Sequence, residues 1–288
     1  MRSTVAVLYN VFKIRIGLAI AVTAVAGFAV TPGRVVTAID VVILALAVLG
    51  ASAAAGAFNH MVERDLDARM LRTHMRPFVT GEFRADWRWG LGIFALLTAS
   101  VGLAWWVINP VAALYVYLGA IVYGYVYTVL LKRRTVWNIV IGGLAGSFAV
   151  LAGAAAADPT PGPLPMALAV TLFLWTPPHF WSLAMALRDD YARAGVPMLP
   201  VVLGNGPASR VIFAHTLVLV GVSMTPLALG LGWAYGICAA IGGVVFIATS
   251  WKLTRQPERK AAMQNFYASL LQLVLVLVGS MIEGFGLV

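Results

Sequence analysis

The sequence predicts an all-α membrane protein of nine transmembrane helices with its N-terminus in the cytoplasm. Three observations predict it. Of 288 residues, 61% are hydrophobic and 11% charged, with a mean hydropathy of +0.90; a soluble domain carries about 25% charged residues. The apolar residues fall in long blocks rather than stripes, the pattern of spans in lipid. The basic residues gather almost entirely in every second gap between those blocks.

Taking about 20 residues per span, the blocks lie at 14–31, 38–59, 88–107, 110–131, 137–156, 164–187, 209–230, 233–252 and 265–286. Turn residues mark the breaks: Thr31-Pro-Gly, Asn109-Pro, the Pro-rich run from Asp158 to Pro165, Gly204-Asn-Gly-Pro207 and Gln256-Pro257. The connections near 108 and 232 are so short that their helices form antiparallel hairpins. With the N-terminus inside, the inner segments are 1–13, 60–87, 132–136, 188–208 and 253–264. These segments and their edges hold 19 of the 20 Lys and Arg, leaving Arg34 outside, as the positive-inside bias requires. The net charge of +9 therefore reports topology, and nucleic acid is not an expected partner. Eight of eleven carboxylates are also inside; Asp40, Asp158 and Glu283 are the exceptions. Polar chemistry confined to one face argues against a channel or an ion-coupled transporter. The single cysteine, Cys238, excludes an intrachain disulfide. No cleavage signal follows the first apolar core, so no targeting segment is expected to be removed.

The polar stretch after the second span carries the chemistry. On a helix leaving the membrane, Asn59, Glu63 and Asp67 sit at i, i+4 and i+8, placing an amide and two carboxylates on one face. Arg69, Arg72 and Arg76 follow. Oxygen donors that suit a hard divalent cation, next to guanidinium groups that suit phosphate oxygens, point to a metal-diphosphate site. The same composition also suits a solvated loop; a second acidic cluster, Asp189-Asp190, favours the site. Arg64-Asp-Leu-Asp-Ala-Arg69 is echoed by Arg188-Asp-Asp-Tyr-Ala-Arg193. The echo implies one domain, 1–288, of two four-helix halves (14–131 and 137–252) plus helix nine, with both acidic clusters at one cavity mouth. His60, His74 and His215 read as hydrogen-bonded structural residues. No nucleophilic triad, zinc spacing or glycine-rich phosphate loop is present.

Asn59-x3-Glu63-x3-Asp67 with Arg72-Thr73-x2-Arg76-Pro77 resembles the first aspartate-rich motif of the UbiA superfamily of intramembrane prenyltransferases. Tyr127-Thr128 with Lys132-Arg133-Arg134-Thr135 is similar to its basic segment. Trp175-Thr-Pro-Pro-His179-Phe-Trp and Asp189-Asp-Tyr-Ala-Arg-Ala-Gly-Val-Pro-Met-Leu-Pro200 resemble the branch that farnesylates haem. Two features depart from the superfamily: Glu63 replaces the usual Asp, and Leu187 and Tyr191 stand where many relatives have a second Asp-x3-Asp.

The resemblance implies a bundle around a central cavity capped on the cytoplasmic side. It implies farnesyl transfer from farnesyl diphosphate to a vinyl group of haem B, giving haem O with Mg2+, in the cell (inner) membrane. Asn59, Glu63 and Asp67 would hold metal and diphosphate, with Asp189 and Asp190 as further metal ligands. Arg72, Arg76, Lys132 and Arg133 would meet phosphate oxygens, and His179 would face haem. Lys132 and Tyr127 would join the catalytic set, Tyr127 because an aromatic face stabilises an allylic cation. The near alternative is prenylation of an aromatic quinone precursor. Besides the lipid bilayer, haem A synthase or oxidase assembly proteins are implied contacts.

Overall fold

Each of the nine blocks is a helix, because backbone in lipid must satisfy its own hydrogen bonds. The computed structural model describes residues 3–33 and 37–287, so Arg34, expected as the lone outer cation, and Arg2 lie outside the described residues. α1 (Thr4–Val11) and α2 (Ile14–Ala29) meet at a bend of 50°. α3 (Ala38–Val62) opens on a capping box formed by Thr37 and Asp40, and is followed by the short α4 (Arg64–Asp67) and α5 (Pro77–Thr80). α6 (Trp87–Val107) and α7 (Pro110–Ile121) form the first predicted hairpin, and α7 runs directly into a π-helix, Val122–Leu131. α8 (Asn138–Gly142) and α9 (Leu144–Ala157) form one broken rod. α10 (Pro163–Ala186), α11 (Arg188–Arg193), α12 (Leu199–Leu203) and α13 (Asn205–Ser223) follow. α14 (Thr225–Ala228), α15 (Trp233–Arg255) and α16 (Arg259–Gly284) complete the chain. The described residues form no strand.

Among the described residues, seven of these rods are long and apolar enough to cross a membrane, eight if the bent pair α1–α2 counts as one span. The remaining expected span, the sixth block, is α10, helical over its full 24 residues but short of the others in apolarity. Its second half carries Trp175, Thr176, Pro177, Pro178 and His179, which dilute the run.

Small residues set the helix spacing, since lipid supplies no hydrophobic drive between helices. At the crossing of α2 and α9, a Cβ on Gly153 would lie 1.8 Å from the Ala24 carbonyl oxygen, and one on Gly27 would lie 2.2 Å from that of Val150. The surrounding core is alanine-rich, with Ala24, Ala47, Ala51, Ala113 and Ala152 buried beside Leu44 and Val116.

Cross-contacts define the two ends. At one, Asn109 Nδ2 donates to the Ala155 carbonyl at 2.7 Å, and Glu283 accepts the Ala234 N–H at 2.7 Å. The other end gathers the C-terminus of α3, the end of the π-helix, α11 and the bend between α1 and α2. The two short helices α4 and α11, which carry the echoed sequences, contribute Leu66 and Tyr191 to one buried cluster there, with Met70 and Ala194 just beyond their ends.

Candidate active site

α3 carries Asn59 in its last turn, and the backbone breaks at Glu63 (φ −87°, ψ 10°), so α4 turns back over the bundle. The break keeps all three predicted oxygen donors inside: Asn59, Glu63 and Asp67 are 2%, 1% and 3% exposed. Each is met by a different cation. Lys13 Nζ donates to Asn59 Oδ1 at 2.5 Å, Lys132 Nζ to Glu63 Oε2 at 2.5 Å, and an Arg76 N–H to Asp67 Oδ2 at 2.6 Å. Asn59 Nδ2 donates to Thr128 Oγ1 at 3.0 Å, and the Thr128 hydroxyl donates to the Tyr123 carbonyl at 2.9 Å. Thr73 Oγ1 donates to the Asp67 carbonyl at 3.0 Å, closing the turn that returns Arg76 to Asp67.

The π-helix explains how Lys132 arrives. Its N–H bonds back five residues to the Tyr127 carbonyl. At roughly 4.4 residues per turn, positions 123, 127 and 132 share a face, whereas α-helical winding would send 132 to the opposite side from 123. Tyr123 and Tyr127 accordingly stack 5.9 Å apart, and Lys132 Nζ lies 5.7 Å from the Tyr127 ring centre.

The remaining predicted residues fall outside this knot. Arg72 is exposed on the rim. Arg133 forms a bidentate pair with Asp65, 2.7 Å on both arms, at the surface. The pair's hydrogen bonds hold the Asp65 carboxyl below its ordinary pKa and raise that of Arg133. Asp189 is exposed and forms no hydrogen bond among the described residues. Asp190 accepts the Leu71 N–H at 3.2 Å and pairs with Arg193, so it ties the second half to the loop after α4. Burial alone would raise the Asp190 pKa; Arg193 and the Leu71 and Arg72 N–H groups outweigh it and leave the pKa lowered. His179 sits deeper, between the rings of Trp175 (4.1 Å) and Phe266 (4.5 Å), with Nδ1 2.7 Å from Ser269 Oγ.

Sequence reasoning gave no site role to Lys13 or Tyr123, and it placed Thr128 in the basic segment without assigning it a contact. The lone signal for Lys13 was a cation at the very edge of an apolar block, which the charge bias absorbed as a topology marker. His60, read as hydrogen-bonded, is buried with Nδ1 lacking a partner among the described residues. His74 and His215 are bonded to backbone carbonyls.

The donor set fits a hard divalent cation. All three donors are oxygens, and Glu63 Oε1 is buried with no hydrogen-bond partner among the described residues. Mg2+ keeps water and phosphate among six ligands, so two or three protein oxygens suffice. The described residues contain no cluster of three His, Cys, Asp or Glu side chains that would hold a metal by themselves.

A helical bundle with buried oxygen donors facing a ring of cations at one membrane edge is the architecture of an intramembrane prenyltransferase. Solved structures share the fold. A digeranylgeranylglyceryl phosphate synthase matches with a TM-score of 0.80 at 16% identity, over 98% of this chain and 99% of that one. A UbiA homologue from Archaeoglobus fulgidus bound to GPP and Mg2+ matches with a TM-score of 0.70 at 18% identity, over 95% and 99%. The model of the UbiA prenyltransferase family matches residues 20–274, and the chain belongs to that family. Protoheme IX farnesyltransferase 2 of Paramagnetospirillum magneticum is 57% identical over 98% of both chains. Protoheme IX farnesyltransferase of Hahella chejuensis is 40% identical, over 94% of this chain and 90% of its own.

Proposed function

We propose that the protein transfers a farnesyl group from farnesyl diphosphate to a vinyl group of haem B, producing haem O with the assistance of Mg2+. The observation that carries the chemistry is the one-to-one matching of the buried Asn59, Glu63 and Asp67 with Lys13, Lys132 and Arg76. The acceptor rests on relatives named protoheme IX farnesyltransferase that align along almost the whole chain.

Asn59, Glu63 and Asp67 would hold Mg2+, which when bound neutralises charge collecting on the diphosphate leaving group. Lys132 and Arg76 stabilise that charge from the protein side, where a water-poor site strengthens each contact. Arg72 and Arg133 stand at the rim, placed to draw the anion in. Tyr127 presents a ring face beside Lys132, suited to the allylic cation, and the apolar bundle excludes water from it. His179 is assigned to the haem side. Asp190 anchors the loop bearing Arg72 and Arg76, while exposed Asp189 leaves a second metal on this segment without a buried ligand pair. The new C–C bond to the vinyl terminus would form as the farnesyl C–O bond to diphosphate breaks. The cation left next to the porphyrin would take up water, which gives its proton to solvent and leaves the hydroxyl of haem O, so no protein nucleophile is required.

The same reading places nine spans in the cell membrane, α10 included, with the N-terminus and the site on the cytoplasmic side, as the basic end of the bundle supports. It treats residues 1–288 as one domain of two four-helix halves plus α16, for which the facing α4 and α11 speak. Purified protein incubated with farnesyl diphosphate, Mg2+ and haem B should yield haem O by mass. Prenylated 4-hydroxybenzoate with unchanged haem would instead establish an aromatic acceptor. Contact with haem A synthase or oxidase assembly proteins would show as co-purification from native membranes.

A further inference from the structure

Lys13 has no carboxylate of its own. Glu63 and Asp67 are matched by Lys132 and Arg76, so the buried knot holds three cations against two carboxylates. Lys13 Nζ rests on two neutral groups, Asn59 Oδ1 at 2.5 Å and the Tyr123 hydroxyl at 2.6 Å. Arg76, Glu63, Lys132 and Asp67 all lie within electrostatic reach of it. A cation partly withdrawn from water beside two others, with no carboxylate of its own, is destabilised, and an anion bound there would relieve it.

The backbone is shaped to deliver this side chain. Lys13 has φ 49° and is the one non-glycine residue with positive φ among the described residues. L residues adopt that conformation at a cost, and such strain collects at functional positions. Gly56 lies beneath the lysine stem: a Cβ there would stand 3.3 Å from both Lys13 Cβ and Cγ. A larger residue in α3 would crowd the stem one turn below Asn59.

We propose that Lys13, presented by the break between α1 and α2, is a diphosphate-binding residue that rests on Asn59 and passes its charge to the phosphate oxygens. The inference rests on the diphosphate reading of the site. It makes Asn59 a metal donor whose oxygen is shared with Lys13 until a polyanion takes the ammonium.

The test uses full-length protein in lipid nanodiscs, with inorganic pyrophosphate and Mg2+ as the probe in titration calorimetry. Lys13→Met should weaken pyrophosphate binding about ten- to a hundredfold, the scale of a charge-assisted hydrogen bond, and Lys13→Arg should retain most of it. The thermal midpoint of Lys13→Met should be unchanged or raised, and Mn2+ binding without pyrophosphate, read by paramagnetic resonance, should not fall. Unaltered pyrophosphate binding in Lys13→Met overturns the proposal. So does an arginine variant no better than methionine, or Mn2+ affinity falling in parallel, which would make Lys13 a prop for Asn59. If the methionine variant does not fold, Lys13→Gln carries the same comparison. Wild-type protein that binds no pyrophosphate with Mg2+ overturns the functional reading and this inference together.

Discussion

Lys132 and Glu63 meet at 2.5 Å across a sequence separation of 69 residues, one at the end of a π-helix and the other at the break after α3. Their side chains are 12% and 1% exposed. Removing one member of such a pair strands the other and costs about 3–5 kcal/mol, whereas replacing both is far milder. Glu63→Gln should therefore lower the thermal midpoint and cut farnesyl transfer at least about a hundredfold. The double variant Glu63→Gln, Lys132→Met should recover stability and stay inactive. Near-wild-type turnover in the double variant would remove this pair from the chemistry.

Arg133 behaves differently because its partner, Asp65, is half exposed, as is Arg133 itself. Exposed pairs contribute about 0–1 kcal/mol even with bidentate geometry. Arg133→Ala should shift the melting midpoint little and raise KM for farnesyl diphosphate a few-fold at low salt, an effect that fades as salt rises. A hundredfold loss of kcat would place Arg133 on the diphosphate itself.

Much of this architecture was legible in the chain. The nine apolar blocks are helical, several of them in two pieces. The spacing picked out Asn59, Glu63 and Asp67, but it read them as one continuous helix face; α3 ends at Val62, and the break at Glu63 is what turns Asp67 into the same cluster. Membrane span number was less legible: α10 is a full helix whose Trp-Thr-Pro-Pro-His segment lowers its apolarity. The π-winding of Val122–Leu131 left no mark in the sequence; it goes with tertiary contacts, Thr128 with Asn59 on α3 and Lys132 with Glu63 at the break after it. Lys13 was hidden for the same reason. A single lysine between Phe12 and Ile14 looks like an interfacial charge until the chain bends there.

Asp190 supplies a pH dependence. Its folded pKa lies below the ordinary 3.8, so the unfolded chain binds the proton more readily. The Asp190 contribution is complete above about pH 4 and is lost as pH falls through the lower folded value. Amide exchange at Leu71, whose N–H it holds, should accelerate over that acid window in the wild type. Asp190→Asn should show the faster exchange already at neutral pH, together with a loss of about 1–2 kcal/mol. An unchanged Leu71 exchange rate in the variant would deny the tie between the halves.

Gly153 tests the packing of α2 on α9. An added Cβ would stand 1.8 Å from the Ala24 carbonyl oxygen and 2.8 Å from the Phe28 nitrogen, both backbone atoms that cannot swing aside. Gly153→Ala should cost at least about 3 kcal/mol, the upper range for overpacking, and reduce the yield of folded protein in detergent. Gly146→Ala, where a Cβ meets nothing within 4 Å, should be neutral or slightly stabilising on the same helix. Equal behaviour of the two variants would mean the helices are not in backbone contact.

His179 gives the haem assignment its own test, because its tautomer follows from its partners. Ser269 Oγ donates to the Phe266 carbonyl at 2.6 Å, so its lone pair is left to accept from His179 Nδ1–H at 2.7 Å. The indole of Trp175 donates to the Ser269 carbonyl at 2.8 Å and fixes the same turn of α16. A neutral ring protonated at Nδ1 keeps its lone pair on Nε2, the form that ligates iron. Haem B added to the wild-type protein should then show a histidine-ligated absorption spectrum, and His179→Ala should abolish it. Ser269→Ala frees the tautomer and should weaken haem binding about tenfold, as loss of a group orienting a metal-bound histidine does, while leaving pyrophosphate affinity untouched. A His179→Ala protein with the wild-type haem spectrum would move the acceptor away from α10, leaving the Trp175–His179–Phe266 stack as packing between α10 and α16.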